Sequence, residues 1–353
     1  MNLTIIVPSK GRINHIKRLL LYYKKIKFNG KILIIDSSPK KIFLQKKKIV
    51  KDHKELNVKI FHYIGWEKEA TKYGASKIKS KYTLWSADDD FYYLDAIKKT
   101  IKFLENKNNK HYIAAYGKAI LVEYKNNDLT KPIGISEYTP LKDASQNKSY
   151  ERVKFILHNY FVPMFALTRT FYFKKIMSHS PSKVNRKFLP EKLFNSELFT
   201  SLITLSYGKI KKINDLYLVR TIGHKRTDLK KNSKKSNKFV ISENFTINEL
   251  SKIISRLDGI SFSYVKSNLK KEFKKSFRNK VIFRKRVILK NILIQIFLPI
   301  LRPANKIIQS LKDESLHLSS IQKKNNSNYK KYELLTNFLS NRSKINKSKI
   351  NKI

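Results

Sequence analysis

The first hundred residues alternate between two apolar periods. Leu3–Val7 (LTIIV) is a nearly continuous apolar run, the pattern of a strand buried on both faces, and Pro8-Ser9-Lys10-Gly11 is expected to break it. Ile13, Ile16, Leu19, Leu20 and Tyr23 then recur at helical spacing. Ile32–Ile35 predicts a second buried strand ended by Asp36-Ser37-Ser38-Pro39, and Val58–Tyr63 a third. Glu67–Lys79 reads as a helix, Tyr82–Trp85 as a fourth strand and Ala96–Leu104 as another helix. This order implies an α/β fold with a mostly parallel sheet and helices on both faces.

Further along, the tract Tyr112–Tyr124 has strand character and suggests a hairpin or paired strands. Phe161–Leu167 predicts a strand, Arg169–Met177 and Leu193–Leu205 helices, Gly208 a helix stop, and Ile210–Val219 a strand. Thr227–Lys238 is a polar loop or linker, and the remainder of the chain is basic and helical. The expected domains are therefore 1–226 as the α/β unit, 227–310 as linker and basic helical region, and 311–353 as a Lys/Asn/Ser-rich, partly disordered tail.

Open sheets of this kind bind ligands beyond the carboxyl ends of their strands. The polar clusters fall there: Pro8–Arg12 after the first strand, Asp36–Ser38 after the second, Asp88-Asp89-Asp90 after the fourth. Three adjacent carboxylates repel strongly unless a cation neutralises them. Mg²⁺ or Mn²⁺, hard cations with oxygen ligands, would suit the triplet and leave sites for diphosphate oxygens. The plainer alternative is that the aspartates cap the next helix.

Composition changes the picture in three ways. At 353 residues, with 41% hydrophobic and 12% aromatic content, the chain can bury a large core and is not a disordered polymer. A net charge of +50, from 76 Lys+Arg against 26 Asp+Glu, invites a nucleic-acid partner. The lysines are spread along the whole chain with abundant Asn and Ile, as an AT-rich genome would produce, and no zinc spacing or RNA-recognition motif accompanies them. The absence of cysteine excludes disulfides and thiolate chemistry and fits a reducing compartment.

The stretches LTIIVPSKGR, KILIIDSS and EATKYGASKIKSKYTLWSADDDF make the chain resemble the family 2 glycosyltransferases of the GT-A fold, in a bacterial branch with a DDD-type motif, over roughly residues 1–226. The resemblance implies transfer of a sugar from a nucleotide-sugar donor, UDP-linked by preference, to a glycan or lipid-linked acceptor, with inversion. It places Pro8, Ser9 and Arg12 in the nucleoside pocket and Asp36 against the base or ribose. It assigns Asp88 to the ribose and Asp90 to the metal, with Asp88 a second metal ligand and Asp89 taking the first role if the register shifts by one. Where the family has an Ala-Arg-Asn-x-Gly run, this chain reads Ala70-Thr71-Lys72-Tyr73-Gly74, which leaves Lys72 as the basic donor contact.

An inverting transfer needs a carboxylate to take the acceptor's proton. The family places it eleven positions before a glycine, which counts back from Gly208 to Glu197, with Glu191 in reserve. Glu197 can equally be a solvated helix carboxylate. The resemblance brings His224 to the metal, although a lone histidine in a basic loop is often incidental. Arg220 has the geometry to hold a diphosphate by paired hydrogen bonds. Trp66 and Trp85 read as core or pocket wall.

Two further expectations concern membranes. Met1–Val7 is too short and lacks a basic start for a secretory signal, and no run of ~20 uncharged apolar residues is present. The segment 277–303, cationic first and apolar later, is either a helix lying on anionic lipid or one packed on the enzyme. The implied location is cytoplasmic, peripheral at the inner membrane face. A nucleic-acid-binding protein and a nucleotidyltransferase are the competing readings; the second normally carries a glycine-rich loop, and here that loop has one glycine, Gly11.

Overall fold

A computed structural model describes residues 1–65, 67–124, 132–139, 141–180, 193–222 and 240–276. The chain runs β1 (Leu3–Ser9), α1 (Ile13–Lys25), β2 (Lys31–Asp36), α2 (Lys40–Lys51), β3 (Asn57–His62), α3 (Glu67–Ser76) and β4 (Tyr82–Trp85). It continues through β5 (Phe91–Tyr92), α4 (Leu94–Glu105), β6 (Tyr112–Tyr124), β7 (Pro132–Glu137) and α5 (Ser149–His158). Then come β8 (Leu167–Arg169), α6 (Thr170–Ser178), β9 (Leu193–Asn195), α7 (Ser196–Tyr207), β10 (Lys209–Ile222), β11 (Val240–Ser242) and α8 (Glu243–Asp258). Residues 262–276 are helical.

The main sheet has the order β3-β2-β1-β4-β8-β6-β10-β5, with β7 paired to β6, and β9 and β11 form a separate two-stranded sheet. The β3-β2-β1-β4 half is parallel. β8 then runs antiparallel to both β4 and β6, and β5 antiparallel to β10. The fold is α/β with a mixed sheet. Every residue from Leu3 to Val7 and from Ile32 to Asp36 is buried, because helices cover both faces of these strands. α3 lies directly on one face: a Cβ on Gly74 would come 2.7 Å from the side chains of Ile6 and Ile35.

Register decides where the polar residues go. Ser9 pairs with Asp36 and Asp36 with His62, so the polar ends of three strands share one rim. β4 joins through Ile6–Trp85, and Ser86 N–H continues the ladder onto the Ile6 carbonyl at 2.9 Å. Asp88–Asp90 come next, at the same rim.

Several elements differ from the sequence reading. Pro8 does not end β1, which runs on to Ser9; β4 pairs only as far as Ile6, so the missing proline N–H costs no bond on that side. Tyr112–Tyr124 is one 13-residue strand, β6, with its partner β7 downstream. Phe161–Leu167 is not a strand: Pro163 starts a 3₁₀ turn over Pro163–Phe165 and only Leu167–Arg169 pairs. Leu193–Asn195 is strand before α7 begins. α3 stops at Ser76, three residues short of Lys79. α2 is so rich in lysine that its apolar stripe is nearly invisible, with Phe43 and Lys46 as its buried residues. Gly208 does succeed the last residue of α7, yet what requires glycine there is packing, since a Cβ would meet Ile113 at 2.3 Å.

By compactness the chain divides into two units. The first comprises Met1–Leu121, Glu137–Thr221 and Arg226–Lys270, and so continues past residue 226 to include α8. The second comprises Val122–Ser136, Ile222–Lys225 and Lys271–Ile353; its described part includes the end of β6 and most of β7. The segment 277–303 and the tail 311–353 lie outside the described residues. Among the described residues no helix is long and apolar enough to cross a membrane.

Candidate active site

The carboxyl ends of β1, β2 and β4 open into a cleft of about 550 Å³ within the first unit. Its walls include Pro8, Ser9, Lys10, Arg12, Ser37, Asp88, Asp89 and Arg220. Beneath them runs a chain of charged hydrogen bonds. Lys46, fully buried on α2, donates to Asp36 Oδ1 at 2.7 Å, to Ser9 Oγ at 2.8 Å and to Ser38 Oγ at 3.2 Å. Ser9 Oγ donates in turn to Asp88 Oδ2 at 2.7 Å. Arg12 then bridges Asp88 Oδ1 at 2.7 Å and Asp89 Oδ2 at 2.9 Å.

This network answers the electrostatic problem posed by the triplet. Two guanidinium groups stand among the three carboxylates: Arg12 serves Asp88 and Asp89, and Arg220 Nε lies 3.7 Å from Asp90 Oδ2. Both oxygens of Asp88 are committed. Asp90 is different. It is buried, its Oδ2 has no hydrogen-bond partner among the described residues, and Arg220 Nε is likewise unbonded. Burial pushes the Asp90 carboxyl up to about 7, with Arg220 opposing the shift and Asp89 and Asp88 adding to it. Arg220 is held in place by aromatic faces, its guanidinium 4.4 Å from the Phe165 ring centre and 4.8 Å from that of Tyr138. Thr221 donates to the Asp89 carbonyl at 2.8 Å and anchors β10 to the triplet.

Glu197 stands in the first turn of α7, where the helix dipole favours a carboxylate. Tyr160 donates its hydroxyl to Glu197 Oε1. Burial and this bond together push the Tyr160 hydroxyl up, so it stays a donor. Glu197 acts electrostatically on Arg220, Tyr138 and the buried Lys68, which puts it in the charge cluster on the Asp90 side.

The structure thus brings together Pro8, Ser9, Arg12, Asp88, Asp89, Asp90, Arg220 and Glu197. Asp36 is buried behind the rim and reaches the cleft through Lys46 and Ser9, while Ser37 is the residue of that turn on the cleft wall. Lys72 does not join the cleft: it is exposed, and its ammonium donates to the carbonyls of Ser178 and Ser180 at 3.3 Å, tying α3 to the end of α6. Glu191, His224 and Trp66 lie outside the described residues. Trp85 is a wall residue, as its apolar character implied.

Lys46 and Tyr160 were not singled out from the sequence, whereas Ser38 belongs to the Asp36–Ser38 cluster expected at the rim. A signal for Lys46 does exist, because Phe43, Lys46 and Val50 share the inward stripe of α2, and a lysine on such a stripe needs a buried carboxylate. Tyr160 is 37 residues from Glu197 and carries no local signal.

Fold and site define an α/β protein with a polar, charged cleft at the carboxyl rim of its parallel strands. No family model and no curated protein matches the chain. Among solved structures it is similar to TarS of S. aureus, at 15% identity and a TM-score of 0.45 over 78% of this chain and 43% of that one. A structure of TarS 1–349 aligns with 16% identity and a TM-score of 0.45, over 78% of this chain and 71% of that one. The chain therefore spans less than half the length of the longer TarS structure.

Proposed function

We propose that this protein is a glycosyltransferase that moves a hexose from a nucleoside diphosphate sugar, UDP-linked by preference, to a glycan or lipid-linked acceptor in cell-surface polysaccharide synthesis. The observation that carries the reading is Asp88, fixed between Ser9 and Arg12 at the wall of a rim cleft. A carboxylate with both oxygens positioned is suited to orient a polar ligand such as a ribose, and Lys10 and Arg12 supply positive charge for a diphosphate. The family resemblance of the three motif stretches points the same way.

In this reading Pro8, Ser9 and Ser37 flank the nucleoside, and Arg220 stabilises the departing diphosphate. Glu197 accepts the proton of the acceptor hydroxyl as its oxygen attacks the anomeric carbon from the face opposite the leaving group. The bond from that carbon to the diphosphate breaks as the new one forms, which inverts the centre. Tyr160 holds Glu197 in place during the transfer.

A divalent cation, Mg²⁺ or Mn²⁺, belongs to the same proposal. Among the described residues no three acidic or histidine side chains converge as a ligand group. Mg²⁺ sites that hold substrate phosphates need only one or two carboxylates, the remaining ligands being phosphate oxygens and water. Asp90, with its buried and unbonded Oδ2, fits that role, with Asp88 as the neighbouring carboxylate. When bound, the ion would supply Lewis acidity to the leaving diphosphate.

The segment 277–303 would lay the enzyme on anionic lipid at the inner membrane face, where lipid-linked acceptors are found. The test is calorimetric and kinetic. A panel of sugar nucleotides is titrated with Mn²⁺ or Mg²⁺, and hydrolysis of the best binder is measured in wild type and Asp90→Ala. Metal-dependent binding, with hydrolysis lost in the variant, is the expected result. Binding of no member of the panel under either metal sinks the proposal.

A further inference from the structure

Lys46 and Asp36 form an ion pair sealed inside the sheet unit, both side chains fully buried and 2.7 Å apart. Such a pair is a poor device for stability, because well-packed apolar residues of similar volume usually serve as well or better. Here the pair is also incomplete: Asp36 Oδ2 is buried and has no hydrogen-bond partner among the described residues. The directions of the surrounding hydrogen bonds show what the ammonium contributes.

A lysine ammonium has three protons to give and no lone pair to receive one. Lys46 gives them to Asp36 Oδ1, Ser9 Oγ and Ser38 Oγ. Both serine hydroxyls thereby accept from Lys46, and each turns its single proton the other way. Ser9 sends it to Asp88 Oδ2 at 2.7 Å, and Ser38 to Asp36 Oδ1 at 2.6 Å. Ser9 lines the cleft, yet its proton is already committed.

The Ser38 arm leads to the same triplet. Its hydroxyl oxygen accepts the Gly11 N–H at 2.9 Å, which pins the loop between β1 and α1 where Gly11 takes the left-handed conformation, φ 76°. The next residue of that loop is Arg12, whose guanidinium bridges Asp88 and Asp89. Both donors that fix Asp88, the Ser9 hydroxyl and the Arg12 guanidinium, therefore trace back to one ammonium with no exposed surface of its own.

We propose that Lys46 is a positioning residue for the sugar-nucleotide site, orienting Asp88 through Ser9 and through the loop that Ser38 holds, without touching the ligand. The inference rests on the transferase reading above and adds a residue from a helix behind the cleft. Groups held by a preset shell bind without first having to be ordered, so losing that shell falls on donor binding.

Lys46→Met alone would strand the Asp36 charge. The test variant is therefore Lys46→Met combined with Asp36→Asn, which removes both charges at nearly constant volume. Full-length wild type and variant are titrated with UDP-glucose, UDP-N-acetylglucosamine and GDP-mannose in the presence of Mn²⁺, and hydrolysis of the tightest binder is followed. The paired variant should melt no lower than wild type. Its KM should rise by about tenfold or more, towards the roughly hundredfold that a ~1 Å misplacement can cost. Its kcat should stay nearly unchanged, the mark of lost uniform binding. Ser9→Ala, which cuts one arm, should raise KM as well. Adding the paired change to Ser9→Ala should raise KM by clearly less than the same change does in wild type, because the two act along one path.

An unchanged KM in the paired variant overturns the proposal, and so does a fall confined to kcat. Full additivity with Ser9→Ala would mean that Lys46 or Asp36 reaches the ligand by another route. A clearly lower melting temperature would mean that the pair serves stability. Either result overturns the proposal too. If wild type binds none of the three sugar nucleotides, the transferase reading itself fails, and the positioning role with it.

Discussion

Asp88, Asp89 and Asp90 differ in what surrounds them, although they are adjacent and identical in kind. Asp88 and Asp89 share Arg12, while Asp90 faces Arg220 at a distance too long for a hydrogen bond. The proposed uses follow that difference: two carboxylates are fixed by hydrogen bonds, and the third keeps an oxygen without a hydrogen bond among the described residues. Glu197 is the residue whose replacement tests the chemical step. Glu197→Gln should lower kcat by about 10²–10⁴ while leaving donor affinity within a few-fold, the signature of a lost general base. Steady-state kinetics beside donor titration would show it; an unchanged kcat would place the base elsewhere.

Elements in this protein are finished by one another. α5 has no side-chain cap of its own at Lys148. Its first N–H groups, from Ser149 and Tyr150, donate instead to the Asp258 carboxylate at 2.8 and 2.9 Å, across from the end of α8. Asp258→Ala should therefore cost about 1–2 kcal/mol, the usual worth of a helix cap, measured as a shift in the urea midpoint with an unchanged slope.

A second clasp joins α8 to the ends of α6 and α7. Glu249 Oε2 lies 3.0 Å from His179 Nδ1, and His179 Nε2 lies 2.5 Å from the Tyr207 hydroxyl. Burial pushes the Glu249 carboxyl up, but its bonds to His179 and Lys252 outweigh this and hold it below its ordinary 4.5. A carboxylate depressed in the folded state stabilises above its unfolded pKa and loses that contribution as pH falls through the folded one. Melting curves of wild type and Glu249→Gln should consequently converge as pH drops below about 4.5, with wild type more stable above it. Parallel curves across that range would remove Glu249 from the clasp.

At the scale of the whole molecule the net charge of +50 is the dominant quantity. Spread charge of this size gives attraction to anionic surfaces that weakens with salt, since the screening length falls to about 8 Å at physiological ionic strength. If 277–303 lies on lipid, replacing Arg284, Lys285 and Arg286 by Gln should weaken binding to phosphatidylserine-containing vesicles, at about 1 kcal/mol per cation. Sedimentation with vesicles at low and high salt would measure this. An unchanged bound fraction at low salt would assign the binding to charge elsewhere on the chain.

Local pattern alone determined the parallel half of the sheet, because strands buried on both faces must be apolar almost throughout and the helices between them must carry a 3.6-residue stripe. Tyr82–Trp85 is matched residue for residue for this reason. The rim position of Pro8–Arg12 and Asp88–Asp90 was legible as well, since polar residues directly after buried strands have nowhere else to go. Tertiary structure decided the rest. The antiparallel strands β8, β6, β10 and β5 take their places from long-range pairing, which leaves no local period. Which cation meets which carboxylate was equally out of reach, because Arg12 and Asp88 are 76 positions apart and only the register of β1 against β4 brings them within 2.7 Å. Charge compensation is a property of distance in space, and a sequence records only distance along the chain.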